Sequence, residues 1–413
     1  AEKTTLTFWH AMGGTNGEVL QQIVDDFNAS QDEIEIKAEY QGTYDDTITK
    51  LKAAMQSDSG LPDVCQMYDV GTKFMYDSGA VIPVEDKFES TGYDKSSVME
   101  VISSYYTVDG KQYAMPFNVS TPMLYYNKDV FEAAGLDPET PPTTYDEVLE
   151  DAKKIVESGA APVGYSQAIY GWFFEQQLAG LGVTYGNNDN GRKEAVTAVD
   201  FDSNGGGLKV FDMWKKLYDS GCFEDYGTTT ADTQTAFFSG QVGMIIESTA
   251  ILKNAVDSSP FEVGTGYLPR IEQNDEGGVI IGGGSLWLTD TGNETNEDAA
   301  WKFIEYITTP DVQAKWSMGT GYFAINEKAY ETDDMKAYLE ENPNFETAIN
   351  QLKDSPVNCN TAGVLSGVQT EARLTFNEIM PQVYDGKLTT QDAVDQLAAS
   401  VNKAIENYNE SIK

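Results

Sequence analysis

The feature that most constrains this chain is a hydrophobic period that switches repeatedly near the N-terminal end. Residues 4–9 read as a strand. Residues 16–29 then carry Val19, Leu20, Ile23, Val24 and Phe27 at helical spacing. Ile34, Ile36, Ala38 and Tyr40 alternate with polar residues and predict a second strand. A helix bearing Ile48, Leu51 and Met55 follows, and then an apolar strand near Val64. Strand and helix in this alternation predict an α/β lobe with a mainly parallel sheet, because parallel neighbours need a helical crossover between them.

Further along, Asp109-Gly110 sits between alternating runs in 105–117 and predicts a hairpin. Met123–Tyr126 reads as another strand. Thr144 with Glu147 forms a capping box ahead of Val148, Ala152 and Ile155. Helical patterns recur near 208–218, 231–238 and 297–307, and the chain from about 333 reads as mostly helical. Gly205-Gly206-Gly207 follows the turn cluster Asp202-Ser203-Asn204 and predicts a surface loop. With 413 residues the chain exceeds one ordinary core, so two lobes are expected. No composition shift or linker divides it in the middle. The α/β signals stop and restart, which fits lobes built from non-contiguous segments.

Charge removes several function classes. Against 27 Lys and Arg stand 66 Asp and Glu, a net charge of −39. Phosphate backbones would be repelled, so nucleic acid is excluded as a partner, and so is a polybasic membrane contact. No segment reaches the roughly 20 apolar residues of a membrane-crossing helix. Cys65, Cys222 and Cys359 are far apart, without a CxxC; one disulfide or free thiols both fit. Only one histidine, His10, is present, and there is no G-x-S-x-G, HExxH, Walker or EF-hand pattern. Metal and cofactor are therefore both expected to be absent. Paired carboxylates for glycan hydrolysis remain open, since so many acids make any chosen pair uninformative.

Several ordered blocks carry a family resemblance. They are FWHAMGG at 8–14, QGTY at 41–44, QMYDVGT at 66–72, PFNVSTPMLYYNKDVF at 116–131, GLDPETPP at 135–142, IIGGGSLW at 280–287 and TGY at 320–322. Over nearly its whole length the chain resembles the family 1 extracellular solute-binding proteins of ABC importers, most of all those that take sn-glycerol 3-phosphate. The resemblance implies the periplasmic-binding-protein (Venus-flytrap) α/β fold. Two lobes, 1–118 with 284–325 and 119–283 with 326–413, would be joined by hinge strands and close on a ligand. It also implies a monomer, membrane permease subunits as partners, and a location outside the cytoplasmic membrane, in the periplasm or held there as a lipoprotein.

The family's ligand positions fall here on Tyr44, Asp69, Ser120, Trp172, Ser248 (or Thr249), Gly283, Tyr322 and Arg373. Tyrosine hydroxyls and a carboxylate suit ligand hydroxyls. A serine at a helix start would offer free N–H groups, and an arginine fork suits phosphate or carboxylate. Each position also has a plain structural reading. The tyrosines fit a half-buried core, Asp69 a surface ion pair and the serines caps. The glycines fit the hinge strand, Arg373 a pair with one of the many acids, and Trp9 and His10 the core and its rim. Two departures bear on the ligand. The first tryptophan of the family's GW-x-x-W element is Ile169 here, and Ala324 replaces proline in TGYFAI. The expected ligand is a glycerol phosphate or glycerophosphodiester, with a neutral mono- or oligosaccharide as the alternative and a secreted glycan hydrolase as a remote one.

Overall fold

A computed structural model describes residues 2–413. In chain order its strands are β1 (Thr4–His10), β2 (Ile34–Tyr40), β3 (Val64–Tyr68), β4 (Val81–Ile82), β5 (Thr107–Val108), β6 (Lys111–Gln112), β7 (Met115–Ser120), β8 (Pro122–Asn127), β9 (Val163–Ser166), β10 (Val242–Ser248), β11 (Val263–Gly266) and β12 (Gly282–Thr289). The chain forms two compact units. Unit 1 holds the chain up to Ser120 together with Ile281–Glu341, and unit 2 holds Thr121–Ile280 together with Asn342–Lys413.

In unit 1 the sheet order is β2-β1-β3-β12-β4, with β7 also paired to β12. The first three strands are parallel, as the N-terminal alternation predicts, with Leu6 opposite Ile36 and Phe8 opposite Val64. β12 is antiparallel to β3, β4 and β7, so the sheet is mixed rather than mainly parallel. The reason is the discontinuous chain: β12 arrives from a distant segment and needs no crossover helix to pair antiparallel. Helix Gly14–Ser30 buries Leu20, Ile23, Val24 and Phe27. Phe27 meets Phe303 of helix Glu294–Ile307 edge-on, with ring centroids 5.2 Å apart. Asp109 and Gly110 take positive φ, 48° and 75°, at the turn between β5 and β6. That is the backbone a two-residue hairpin demands.

The last passage between units lies at Glu341/Asn342, not after residue 325. Residues 326–341 stay in unit 1 because they complete a small core. Ala329 and Met335 pack with Ala314 and Ala324, while the Asn326 side chain donates to the Thr308 carbonyl at 2.9 Å.

The unit 2 sheet runs β11-β8-β10-β9, with β8 antiparallel to both neighbours and β9 parallel to β10. Helix Tyr145–Ser158 buries Tyr145, Val148, Ala152 and Ile155, and the Thr144 hydroxyl caps it. The return arm of the expected capping box differs: Glu147 accepts from the Thr143 N–H at 2.9 Å. The C-terminal helices Gln369–Tyr384 and Thr390–Ser411 join one large core with Trp172, Phe174 and Trp214. Each such side chain contributes about 1.5–3 kcal/mol on burial.

The glycine run at 205–207 is not a surface loop. Gly206 and Gly207 open helix Gly206–Asp219 and are buried, with Val183, Leu178 and Phe201 where a Cβ would stand. Cys65, Cys222 and Cys359 are free thiols, Cys65 in unit 1 and the other two in unit 2. Among the described residues no helix is long and apolar enough to cross a membrane.

Candidate functional site

In unit 1 the sequence candidates gather around a residue that sequence reasoning passed over, Asn118. It lies on β7, every residue of which is buried. Its Oδ1 accepts from Gln66 Nε2 at 2.8 Å, and its Nδ2 donates to Tyr44 Oη at 3.0 Å. Gln66 in turn accepts the Ala11 N–H at 2.9 Å, so the relay runs from the end of β1 through β3 to β7. Asn118 and Gln66 are almost fully buried, and a buried amide must be hydrogen-bonded at both ends or it costs stability. The relay therefore fixes which way the Asn118 amide faces. An amide flanked by Phe117 and Val119 in a buried strand was the available signal.

Tyr44 opens helix Tyr44–Ser57, whose start is set by the reciprocal Thr43–Asp46 capping box. Its ring stacks on Tyr68 at 4.9 Å and 6°. Burial first, then the nearby Tyr322 and Asp69, raise its pKa far above the usual phenol value, against the lowering effect of Asn118. The phenol is thus neutral at every physiological pH. An oxygen accepting from Asn118 still carries its own proton, which suits it to donate to a ligand oxygen. Tyr322 is likewise shifted upward by burial, with Asn118 beside its hydroxyl. Its ring stacks over Trp316, 6.0 Å away and 8° from parallel, and Trp316 stacks on Phe117.

Asp69 starts a single 3₁₀ turn after β3, where its carboxylate accepts the Val70 N–H at 2.9 Å. Gly283 has φ +98°, and a Cβ there would strike the Asn118 carbonyl. Glycine is required for β12 to lie against β7 at this point. At the next position, Gly284, a Cβ would stand 3.1 Å from Tyr44 Oη. Ser120 ends β7 opposite Gly282. Tyr44 and Tyr322 therefore meet the buried Asn118 side chain, Gly283 lies against its backbone carbonyl, and Asp69 lies near Tyr44. Ala324, in place of the family's proline, donates its N–H to Tyr330 Oη at 2.9 Å, a bond proline lacks.

In unit 2, helix Gly171–Gly180 brings Gly171, the neighbour of Trp172, against Arg373 although they are distant in sequence. A Cβ on Gly171 would lie 2.6 Å from Arg373 Cα, so the missing side chain is what lets helix Gln369–Tyr384 come this close. The Arg373 guanidinium is not an open fork. Its Nε donates to Glu175 Oε2 at 2.6 Å and its Nη2 to Glu175 Oε1 at 2.9 Å. Both side chains are poorly exposed, 14% and 9%. Glu175 was missed in sequence reading, where it is one acid among 66.

Trp172 is 4% exposed, and Ile169, where relatives carry tryptophan, is fully in the core. Ser248 acts as a cap, its Oγ accepting the Ala250 N–H at 3.1 Å. Only a three-residue 3₁₀ turn follows, before helix Leu252–Ser258, so the expected set of free N–H groups is smaller than a long helix would give. Thr249 is tied to Thr121: its N–H donates to the Thr121 carbonyl at 2.7 Å, and its Oγ1 accepts the Thr121 N–H at 3.0 Å. Among the described residues no three His, Cys, Asp or Glu side chains gather as metal ligands. His10 is buried, which lowers its pKa to about 4, and its Nδ1 accepts the Met12 N–H at 3.2 Å.

Comparison with known proteins gives a consistent picture. The model of a bacterial extracellular solute-binding protein family matches residues 22–347. The sn-glycerol-3-phosphate-binding periplasmic protein UgpB of Escherichia coli (strain K12) is 31% identical over 417 residues, covering 99% of this chain and 94% of that one. Among solved structures, the cyclic alpha-maltosyl-1,6-maltose binding protein of Arthrobacter globiformis superposes with a TM-score of 0.83 at 26% identity, covering 98% and 100% of the two chains. UgpB of Mycobacterium tuberculosis in complex with glycerophosphocholine does so at 0.80 and 20% identity, covering 99% and 100%. The fold is that of the periplasmic binding proteins.

Proposed function

Because the chain belongs to the bacterial extracellular solute-binding proteins, the substrate-binding components of ABC importers, we propose that it captures a glycerol phosphate or a glycerophosphodiester outside the cytoplasmic membrane. The observation that carries the reading is the cluster of Tyr44 and Tyr322 about Asn118, with Asp69 near Tyr44, a set of fixed donors and acceptors suited to ligand hydroxyls. It supports the reading together with full-length similarity to a protein named for binding sn-glycerol 3-phosphate. Binding would select the ligand-competent arrangement of the protein. The permease would read that population shift, with no reaction on the ligand. The protein acts as a monomer, in the periplasm or anchored as a lipoprotein.

A second reading, capture of a neutral mono- or oligosaccharide, is favoured by one specific observation. The Arg373 fork is already closed on Glu175. The fold's likeness to a maltosyl-maltose binding protein supports it as well.

Thermal unfolding with sn-glycerol 3-phosphate, glycerophosphocholine, glycerol, and neutral mono- and disaccharides separates the readings. A ligand at about 100 times its Kd adds about 2.7 kcal/mol to the native state and raises Tm by a few degrees. Shifts with the phosphates support the first reading, and shifts with sugars alone support the second. Turnover of a glycan panel would replace both with a hydrolase.

A further inference from the structure

We propose that Glu175 is a charge filter of the solute site. By closing the Arg373 fork it disfavours doubly charged phosphomonoesters and admits singly charged glycerophosphodiesters or neutral polyols. This deepens the proposed function and rests on it for the ligand class, while the pair itself stands on geometry.

Three observations place Glu175 at a ligand-binding position rather than at an ordinary surface pair. It lies one turn beyond Trp172 on the same helix, and residues three apart share a helix face. Its carboxylate takes two near-parallel bonds from Arg373, the geometry that a phosphoryl group would otherwise occupy. One turn before Arg373, Gln369 is 3% exposed, and its amide meets the Tyr185 hydroxyl while the rest of its hydrogen-bonding capacity is unfilled. Tyr185 also feels the charges of Glu175 and Arg373. A buried amide with unfilled hydrogen-bonding capacity is costly unless something binds it, and a ligand hydroxyl satisfies either end.

The charge argument follows. A lone arginine is a net positive charge, whereas the Arg373–Glu175 pair is neutral. A phosphoryl oxygen approaching the guanidinium also approaches a carboxylate, and like charges at close range disfavour the ionised form. A phosphomonoester near pH 7 carries most of a second negative charge and meets that penalty more heavily than a diester. The protein's −39 adds in the same direction at long range, weakened by salt.

The test is calorimetric affinity for sn-glycerol 3-phosphate and glycerophosphoglycerol on the wild type, Glu175→Gln, Glu175→Asp and the double variant Glu175→Gln/Arg373→Gln. The wild type should favour the diester by about tenfold, the scale of one close charge interaction. Glu175→Gln should lift the monoester-to-diester affinity ratio by about tenfold. Glu175→Asp should keep the wild-type order, and the double variant should lose the gain. A ratio that Glu175→Gln leaves unmoved overturns the inference. So does a wild type that prefers the monoester, which decides the matter even if Glu175→Gln does not fold. Should no organic ligand bind the wild type, the ligand-class proposal falls, and inorganic phosphate then tests the filter alone. Against chloride at equal ionic strength, phosphate should raise the Tm of Glu175→Gln and not that of the wild type. An equal response of the two overturns the filter.

Discussion

The two units hold their candidate residues with different chemistry. Unit 1 uses a neutral relay, Ala11 to Gln66 to Asn118 to Tyr44, anchored on strand ends. Unit 2 uses an ion pair, Arg373 with Glu175, clamped between two helices. A relay of amides and phenols keeps its protonation over a wide pH range and orients hydroxyls. A closed ion pair can discriminate charge, at the cost of desolvating two ions. On the proposed function, the difference teaches that hydroxyl recognition and charge selection are separable, one to each unit.

The largest effect expected from breaking the comparison lies in unit 2. Glu175→Ala leaves a poorly exposed guanidinium without its carboxylate and should cost about 3–5 kcal/mol. Urea unfolding followed by tryptophan fluorescence would show it as a separate early transition. A loss below 1 kcal/mol, the scale of an exposed pair, would mean that water reaches the pair freely.

Next is the pH response, which should have opposite sign in the two units. In unit 1 burial lowers the His10 pKa from 6.5 to about 4. Its folded value is depressed, so its stabilising contribution is complete above pH 6.5 and is lost as pH falls toward 4. A shift of that size corresponds to about 3 kcal/mol. In unit 2 burial raises the half-buried Asp151 from 3.8 to about 6, so its contribution is complete below pH 3.8 and is lost as pH rises toward 6. Glu247 is displaced in the same direction, again mainly by burial. Unfolding between pH 4 and 7 should therefore show one unit gaining as the other loses. His10→Asn should flatten only the unit 1 slope, and a flat profile already present in the wild type contradicts the assignment.

Gly171→Ala is expected to cost about 2 kcal/mol, because the added methyl meets the Arg373 backbone rather than a movable side-chain tip. Chemical denaturation measures it, and a neutral result would show that the two helices can part without penalty. The smallest effect is Tyr44→Phe. It removes the acceptor for Asn118 and should lower stability by about 1 kcal/mol. Ligand affinity should fall more, and an unchanged affinity would return Tyr44 to a purely structural role.

The legibility of the two units also differs. Tyr44, Asp69, Gly283 and Tyr322 sit in short contiguous blocks, QGTY, QMYDVGT, IIGGGSLW and TGY, and the structure gathers them. Asn118 was inside a quoted block yet unread, because its role depends on Gln66, 52 positions away. Arg373 was named from sequence, but its partner Glu175 is 198 positions distant and chemically indistinguishable from the other acids. The glycines at 205–207 were misread because turn composition and a tightly packed helix start look alike without the neighbours Val183 and Phe201.

By itself the sequence determined the parallel β-α-β-α-β start of unit 1, the Asp109-Gly110 hairpin and the Thr144 helix start. These rest on periods and turn chemistry that span a few residues. It also determined the family, through many ordered blocks. Only the tertiary structure decided the antiparallel return of β12, the passage at Glu341/Asn342, and the closing of Arg373 upon Glu175. Each joins segments far apart in the chain, and which distant residue fills a given space follows from packing, not from local propensity.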